Sequence, residues 1–350
     1  MTQIKSTVFY DCSKLKSVFE NTGFEFEKSG LAPGLTSFIN YFLPLRAKFL
    51  SESYVAYEKD KVQGFITLEK DEKNRKRLKI TKVFLEKNSL DIGKLLVQYV
   101  VSRYCAMGAV SYKVVVENSR TDLLSLFVDG CNFRKSAQEF IYKINSAVIS
   151  WDENLVPEGF GFYKNIKSAE VCRLYNSNIN SYQRHSFLRG KEQFEPDFAC
   201  GIKDKTSFSY VLEDEQKGKV YGYFNISTYN NRDYLLDFVL DTGFEIYFED
   251  ALRFVFYCLN KRTSNWTLYV KVKTYFMNYK FFKEYCEEKN FELVKSSSVL
   301  TKDYLKEIKE SSLINSAKIV FNDITPAFKT NNTFSASNYR VQNQCNHQVP

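Results

Sequence analysis

The strongest constraint on the fold is an internal repeat, because stretches of the 350-residue chain match each other at a constant offset of 158 residues. Three pairs of segments share this offset, namely 60–68 with 218–226, 78–83 with 236–241, and 125–133 with 283–291. The first pair, DKVQGFITL and GKVYGYFNI, aligns Gly64 with Gly222. Three segments in one register, without net insertion between them, indicate that one domain occurs twice.

The repeat divides the chain into four predicted parts. The first domain covers 1–150, a linker of sequence WDENLVPEG covers 151–159, and the second domain covers 160–327. Residues 328–350 are polar, rich in Asn, Gln and Ser, and without apolar periodicity, which predicts a disordered tail.

Each copy shows the pattern of an α+β sandwich, in which helices flank a mixed, mostly antiparallel sheet. The elements predicted in the first copy are a strand at 7–11, helices at 13–23 and 38–50, strands at 53–58, 61–69 and 77–85, a helix at 92–108, a strand at 110–117, a helix at 121–130 and a strand at 139–144. Lys59 and Asp60 separate two alternating strands, which indicates a β-hairpin.

Composition restricts the classes of function. No apolar run reaches the roughly 18–20 residues of a membrane helix, and the first residues, MTQIKST, lack the apolar core of a secretion signal. We therefore expect a soluble, cytoplasmic protein without a membrane partner. The eight cysteines are far apart, which favours free thiols. With only His185 and His347 present, a histidine-based zinc site or a Ser-His-Asp triad is disfavoured, and no metal is expected.

Positive charge is concentrated in the first copy. Residues 1–150 hold 23 basic and 16 acidic residues, whereas residues 151–350 hold 26 and 25. The densest basic run, KNRKRLKITK at 73–82, is compatible with a solvated hairpin, a nucleic-acid contact or a collar for a phosphorylated ligand. A solvated hairpin is the simplest of the three.

The segment VFLEKNSLDIGKLL at 83–96 predicts an anion site, because it combines a strand end, a short polar loop and the first turn of a helix. Free backbone N–H groups at a helix N-terminus bind phosphate, and a glycine allows close approach. Ile92, Gly93 and Lys94 are predicted to supply these amides. Lys87 and Lys94 are candidates for neutralising phosphate charge.

This segment resembles the acyl-CoA loop of the GNAT superfamily of N-acyltransferases, V-x-P-x-x-R-x-x-G-x-G-x-x-L. Val83, Gly93 and Leu96 hold the Val, last Gly and Leu positions. The later segments VVVEN (114–118) and LFVDGCNF (126–133) resemble the family's strand that ends in Asn, followed by Tyr and then Gly-Phe. Because the order of elements also agrees in both copies, the chain resembles a tandem GNAT protein.

The resemblance implies that acetyl-CoA, or another acyl-CoA, lies in a wedge where the fourth and fifth strands separate. The implied cofactor-binding residues are Val83, Phe84, Leu85, Asn88, Ile92, Gly93, Lys94, Asn118 and Phe127. A deprotonated primary amine of a small molecule or protein attacks the thioester, and CoA leaves as a thiolate. Glu117 is the first candidate for the base that deprotonates the amine, and Glu86 is the second. A solvated strand end is the alternative reading of Glu117.

Departures from the family pattern bear on activity. Asn88 stands at the family's Arg position and Asp91 at its first Gly. A carboxylate there disfavours a pyrophosphate unless it turns away as a helix N-cap. Phe127 occupies the approximate position of the tyrosine that protonates the leaving thiolate in many members, so that proton needs another source.

The second copy departs in the other direction. Tyr285 keeps the family's tyrosine, but Glu249, Asp250 and Ala251 replace Asp91, Ile92 and Gly93 of the first copy. Two carboxylates and no glycine predict that only the first copy binds CoA. Arg184 and His185 are candidates for reaching the cleft from the second copy, although a surface position also fits them.

Three functions stay open on the sequence. The first is an N-acyltransferase, with acetyl as the expected acyl group. The second is a catalytically inactive GNAT-fold module that binds CoA or a partner, which Asp91 and Phe127 favour. The third is an aminoacyl transferase that takes its donor from charged tRNA; the basic first copy is compatible with it, but no RNA-binding motif is present and we expect no nucleic-acid partner. A monomer and a homodimer both fit.

Overall fold

The computed structural model describes residues 2–6, 52–59, 61–71, 77–86, 89–145, 159–163, 167–195, 206–214 and 218–304. The elements predicted at 7–11, 13–23 and 38–50, the linker up to residue 158, and the tail at 328–350 lie outside these residues. The boundaries of the two domains stay predictions.

The described strands form one continuous sheet. They are β1 (Gln3–Ser6), β2 (Glu52–Glu58), β3 (Lys61–Lys70), β4 (Arg77–Leu85), β5 (Ser111–Glu117), β6 (Arg134–Asn145), β7 (Phe160–Phe162), β8 (Thr206–Asp214), β9 (Lys219–Thr228), β10 (Asp233–Leu240), β11 (Thr267–Lys273) and β12 (Glu292–Asp303). Their spatial order is β1-β2-β3-β4-β5-β12-β6-β11-β10-β9-β8-β7. Only the pairs β4–β5 and β10–β11 are parallel within the described sheet.

Helices flank this sheet, so the predicted α+β class is confirmed. The helices are α1 (Leu90–Ala106), α2 (Thr121–Ser125), α3 (Ser168–Ser177), α4 (Arg184–Phe187), α5 (Phe248–Asn260) and α6 (Tyr279–Glu288). α2 continues into a π-helical turn at Leu126–Gly130. Within the described residues, no helix is long and apolar enough to cross a membrane.

The offset of 158 residues relates several elements of the two copies. It relates β3 to β9 and β6 to β12, and in each pair both the first and the last residues correspond. The predicted match of 78–83 with 236–241 is wrong by two to three residues. Gly64 pairs with Leu85 and Gly222 pairs with Leu240, an offset of 155 on these strands. Two residues of the difference arise because the connection between β9 and β10 is two residues shorter than that between β3 and β4, and the third arises because β4 contains a β-bulge and β10 does not.

The two copies exchange their last strands. β12, from the second copy, lies between β5 and β6, and β6, from the first copy, lies between β12 and β11. Ser297 of β12 is opposite Glu117 of β5, and Ile141 of β6 is opposite Lys271 of β11. Each half of the sheet is therefore completed by a strand of the other copy.

Three apolar clusters hold helices against the sheet. α1 and α2 pack on one face of the first half, through Leu96, Tyr112 and Phe127. α5 and α6 pack similarly on the second half. A further cluster around Tyr175 of α3 and Tyr275 spans the junction, because it reaches Val239 of β10 and Val115 of β5. The junction of the copies is thus part of the core.

Candidate functional site

The parallel strands β4 and β5 separate part of the way along their length. Their pairing covers residues 77–80 of β4 and 111–114 of β5. Beyond these residues β4 stays paired with β3, and β5 stays paired with β12. The ends of the two strands, 81–85 and 115–117, are therefore the sides of an opening that we call the first wedge.

Thr81 lies where the first wedge opens, and it is the β-bulge residue of β4. Thr67 of β3 pairs with Lys82 and Leu68 pairs with Ile80, so Thr81 has no partner in this ladder. The side chain is 5% exposed, and its hydroxyl has no hydrogen-bond partner in the described part of the chain. Leaving a buried polar group unpaired costs about 1–3 kcal/mol, and bulges are frequent beside active sites. Thr81 is therefore placed to bond a ligand in the wedge.

Helix α1 begins two residues earlier than predicted, which changes the identity of its free amides. The N–H of Gly93 donates to the carbonyl of Ser89 at 3.0 Å, and Lys94 lies further inside the helix. Only the first N–H groups of a helix lack an intrahelical acceptor. Gly93 and Lys94 therefore do not supply free amides, contrary to the prediction. The residues at the free positions are Leu90, Asp91 and Ile92.

The N-terminal end of α1 is not capped by the side chain of its N-cap residue. Its N-cap is Ser89, whose hydroxyl makes no capping hydrogen bond. Asp91 lies exposed in the first turn and is not the N-cap, so its carboxylate does not occupy the amides in that way. Lys87 and Asn88, predicted beside the phosphates, lie outside the described residues.

Gly93 has a packing role that needs no ligand. A Cβ atom on Gly93 would lie 2.7 Å from Cδ1 of Leu85 and 3.0 Å from Cδ2 of Leu126. Glycine therefore lets α1 lie close to the end of β4. Val83 and Leu85 are partly buried on this same side of the sheet, whereas Phe84 packs on the opposite face.

Phe127 lies in the core and not at a ligand surface. Its side chain is 0% exposed, and its ring packs edge-on against Phe133 with centroids 5.1 Å apart. A fully buried ring has no surface for contact with CoA. The predicted contact between Phe127 and the cofactor is therefore not available in this conformation.

Glu117 and Asn118, at the end of β5, have different surroundings. The carboxylate of Glu117 accepts a hydrogen bond from the hydroxyl of Ser119 at 2.8 Å. The side chain of Asn118 donates to Ser296 at 2.7 Å and accepts from Ser298 at 2.6 Å, both on β12. Asn118 thus fixes the strand end, whereas the second carboxylate oxygen of Glu117 makes no hydrogen bond to another described residue. Glu117 borders the first wedge.

Glu86, the second candidate base, is exposed just beyond β4. Its N–H donates to the carbonyl of Gln63 at 2.9 Å, which continues the pairing of β4 with β3. The backbone of Glu86 is thus bonded to β3, which lies on the side of β4 away from β5 and the first wedge.

A second wedge lies between β10 and β11, whose pairing ends at Asp237 and Lys271. Lys273 forms an ion pair with Asp237 at this point, and its side chain is 2% exposed. Burial lowers the pKa of Lys273 to about 8, although Asp237 opposes this shift. Burial alone would raise the pKa of Asp237, but Lys273 and other cations hold it at about 2. The second wedge therefore contains an internal ion pair where the first contains an unpartnered hydroxyl.

The acidic first turn of α5 is neutralised from within the protein. Glu249 lies 2.8 Å from Arg253 and 3.4 Å from Lys289, and Asp250 lies 3.5 Å from Arg253. Burial, followed by the Glu249 carboxylate, raises the pKa of the Tyr285 hydroxyl. The two carboxylates are therefore less repulsive towards an anion than the sequence suggests.

Sequence reasoning missed two residues that the tertiary structure makes prominent. Thr81 left no signal, because residues 78–83 and 236–241 match in the sequence without a gap. Arg189 left none, and the nearby candidates Arg184 and His185 are exposed. Arg189 lies partly buried near Asp71 and Asp237, which come from different copies.

Among the described residues, no group of three or more His, Cys, Asp or Glu could hold a metal ion.

One continuous sheet with two wedges, in which the copies exchange their last strands and helices lie on the faces, has the architecture of a tandem GNAT fold. The chain is similar to a tandem GNAT protein from the clavulanic acid biosynthesis pathway (without AcCoA), with a TM-score of 0.56, 12% identity and coverage of 88% of this chain and 100% of that one. It is also similar to a GCN5-related N-acetyltransferase from Sphaerobacter thermophilus, with a TM-score of 0.55, 11% identity and coverage of 89% and 98%. No protein-family model and no curated protein matches the chain. The predicted tandem GNAT architecture is thus confirmed at the level of the fold.

Proposed function

We propose that the chain is a cytoplasmic N-acyltransferase that binds acetyl-CoA or another acyl-CoA in the first wedge and transfers the acyl group to a primary amine of a small molecule or protein. The observation that carries the proposal is the unpartnered hydroxyl of Thr81 at the opening of this wedge. An amide or thioester group of an acyl-CoA has the acceptor atoms that this hydroxyl lacks. The GNAT fold of the chain agrees with this assignment.

The phosphates of the bound CoA would lie at the start of α1, at the N–H groups of Leu90, Asp91 and Ile92. A helix N-terminus attracts anions through these groups and through its dipole. The Asp91 carboxylate opposes this attraction, so we expect weaker binding than a neutral residue would permit.

Transfer requires a neutral amine, because a protonated amine has no lone pair. Glu117 is the proposed base, since its carboxylate lies at the edge of the first wedge. The amine then attacks the thioester carbonyl directly, and CoA leaves as a thiolate. Phe127 cannot protonate that thiolate because it is a buried hydrocarbon ring, so we assign the proton to solvent.

A catalytically inactive CoA-binding or interaction module is the second candidate. Phe127 favours this candidate, because the first copy has no tyrosine hydroxyl at this position to protonate the thiolate. Both candidates place CoA in the first wedge, but only the acyltransferase turns over an amine.

Calorimetric titration with acetyl-CoA tests the binding site, with one variant for each copy. Asp91→Asn should tighten binding about two- to five-fold, as expected for removing a charge at a helix N-terminus. Glu249→Gln, the matched change at the second residue of α5, should leave binding unchanged. Absence of binding at millimolar acetyl-CoA, or an equal effect of both variants, would contradict a site in the first wedge.

Thiol release in the presence of a panel of primary amines separates the two candidates. An enzyme should release CoA in an amine-dependent manner, and Glu117→Gln should slow this release about 100-fold or more. CoA binding without amine-dependent release, unchanged in Glu117→Gln, would instead support the inactive module.

A further inference from the structure

Arg189 is held over the junction of the two copies by contacts from both sides. Its backbone N–H donates to the Asn176 side chain at 2.9 Å, and its carbonyl accepts from the same side chain at 2.8 Å. Gln193, four residues later, donates to the backbone carbonyl of Asp71 in the first copy at 2.8 Å. The segment that carries Arg189 is therefore fixed on both halves of the sheet.

The guanidinium of Arg189 is held in place by an aromatic ring and makes no hydrogen bond to another described residue. It lies 4.4 Å from the centre of the Tyr175 ring, in a cation–π contact. The Tyr175 hydroxyl in turn shares a hydrogen bond of 3.0 Å with Tyr275. A guanidinium carries five N–H donors. Packing against a ring therefore orients Arg189 and leaves its donors for another group.

The neighbouring carboxylates are already paired. Asp71 binds Lys113 through both oxygens at 2.7 Å, and Asp237 binds Lys273. Arg189 lies within electrostatic range of both carboxylates but is hydrogen-bonded to neither of them. These five residues, which we call the junction cluster, hold two closed ion pairs and one further cation.

The junction cluster faces the same side of the sheet as the proposed base. Along β5, Tyr112, Val114 and Val116 face α1, so Lys113, Val115 and Glu117 face the other side. Val115 packs in the apolar cluster that contains Tyr175 and Tyr275. Lys113 and Glu117 are four residues apart, about 13 Å along a strand.

We propose that Arg189 binds a carboxylate of the acyl acceptor, whose amine extends towards Glu117. A guanidinium matches a carboxylate in a planar, bidentate arrangement, and a partly buried position strengthens that contact. The acceptor is then an amino acid or a related amino carboxylate of small size. This inference rests on the proposed function, because it identifies the substrate class of the same site.

The test compares acceptors that differ only in the carboxylate. ω-Amino acids with one to seven methylene groups are assayed against n-alkylamines of equal length, with acetyl-CoA as donor. The wild-type protein should prefer the amino acid of at least one length by ten- to a hundred-fold in kcat/KM. Arg189→Met should abolish this preference mainly through KM, whereas Arg184→Met, in an exposed residue of the same segment, should keep it.

Two further measurements separate this inference from the proposed function. Calorimetry with C2–C8 ω-amino acids, without acyl-CoA, should detect binding to the wild type and none to Arg189→Met. The melting temperature of unliganded Arg189→Met should stay close to that of the wild type, because the lost attraction to Asp71 and Asp237 is offset by the desolvation cost of a partly buried guanidinium that makes no hydrogen bond to them.

The outcomes distinguish the two ideas. Turnover of amines without preference for the carboxylate, or a preference kept in Arg189→Met, overturns the inference and leaves the acyltransferase proposal intact. Absence of turnover with every amine refutes the acyltransferase. In that case binding of ω-amino acids that depends on Arg189 still supports the carboxylate site, and its absence removes the site as well. A fall of several degrees in the melting temperature of Arg189→Met would show a structural role instead.

Discussion

Glu117 of β5 lies opposite Ser297 of β12, 180 residues later in the chain. The neighbouring Asn118 is held by Ser296 and Ser298 of the same strand. The proposed base therefore stands on a strand whose edge is covered by the second copy. The first wedge needs the second copy for its structure, even though the proposed ligands of CoA all belong to the first.

Separating the copies tests this dependence. A fragment of residues 1–150 lacks β12, which leaves the edge of β5 unpaired and prone to association. Because β6 is the counterpart of β12 in the repeat, β6 of a second fragment can pair with the open edge of β5. Two fragments that exchange their β6 strands in this way should complete both sheets. We expect the fragment to elute as a dimer in size-exclusion chromatography. A folded monomer, by circular dichroism and elution volume, would show that β12 is dispensable.

Replacing the hydroxyl of Thr81 should affect stability and binding in opposite directions. Thr81→Val removes a buried hydroxyl without a partner, so the free energy of unfolding should rise by about 1 kcal/mol. The same change should weaken binding of acetyl-CoA. Thr67→Val is the matched control, because Thr67 bonds Ser53 at 2.9 Å and its loss should destabilise. Urea denaturation and calorimetry measure both effects, and a destabilised Thr81→Val would contradict the assignment.

Gly93→Ala tests whether this glycine serves packing. The added Cβ would lie 2.7 Å from Leu85, and overpacking of this kind costs about 1–3 kcal/mol, which exceeds the gain of up to about 1 kcal/mol in helix propensity. We expect a net loss of about 1 kcal/mol in the free energy of unfolding. In Gly130→Ala the nearest atom is 3.8 Å away, so this control should lose no stability.

The ion pair of Asp71 with Lys113 predicts a loss of stability in acid. Burial would raise the pKa of Asp71, but Lys113 and Arg189 hold it at about 2, below its ordinary value of 3.8. A carboxyl group with a depressed pKa stabilises the folded state above its ordinary value and loses this effect as the pH falls towards 2. The free energy of unfolding should therefore decrease by about 2 kcal/mol between pH 4 and 2 from this group.

A double variant tests whether Asp71 causes the decrease in the free energy of unfolding below pH 4. Asp71→Asn alone leaves Lys113 buried without its counter-ion, which destabilises the fold at neutral pH. Asp71→Asn with Lys113→Met removes both charges, so it should recover stability near pH 7 and show a flatter decline below pH 4. An equally steep decline in the double variant would mean that other groups dominate. Urea denaturation at a series of pH values measures the difference.

Local pattern was enough to predict much of the architecture. Alternation and turn residues predicted β4 at residues 77–85, where the structure has it, and the hairpin of β2 and β3. The repeat predicted a second copy of the same elements. These features depend on neighbouring residues, whose period and turn chemistry are visible in a single sequence.

The site was predicted less completely, because its details depend on small shifts. A helix that begins at Leu90 instead of Ile92 moves the free amides by two residues. One extra residue at Thr81 displaces the register of β4. Phe127 resembled a ligand contact at its sequence position, yet the π-helical turn carries its ring into the core.

The sequence by itself determined the repeat and the α+β class, since these follow from periodicity and the spacing of matching segments, and its resemblance to the GNAT superfamily implied the segments that border the first wedge. Only the tertiary structure decided that β6 and β12 change places, because either strand has the alternation needed to pair with β5 or β11. It also decided that Arg189 stands over the junction beside carboxylates of both copies. The contacts of β12 with β5, of β6 with β11 and of Arg189 with Asp71 join residues more than a hundred positions apart, and no local pattern encodes which of them meet.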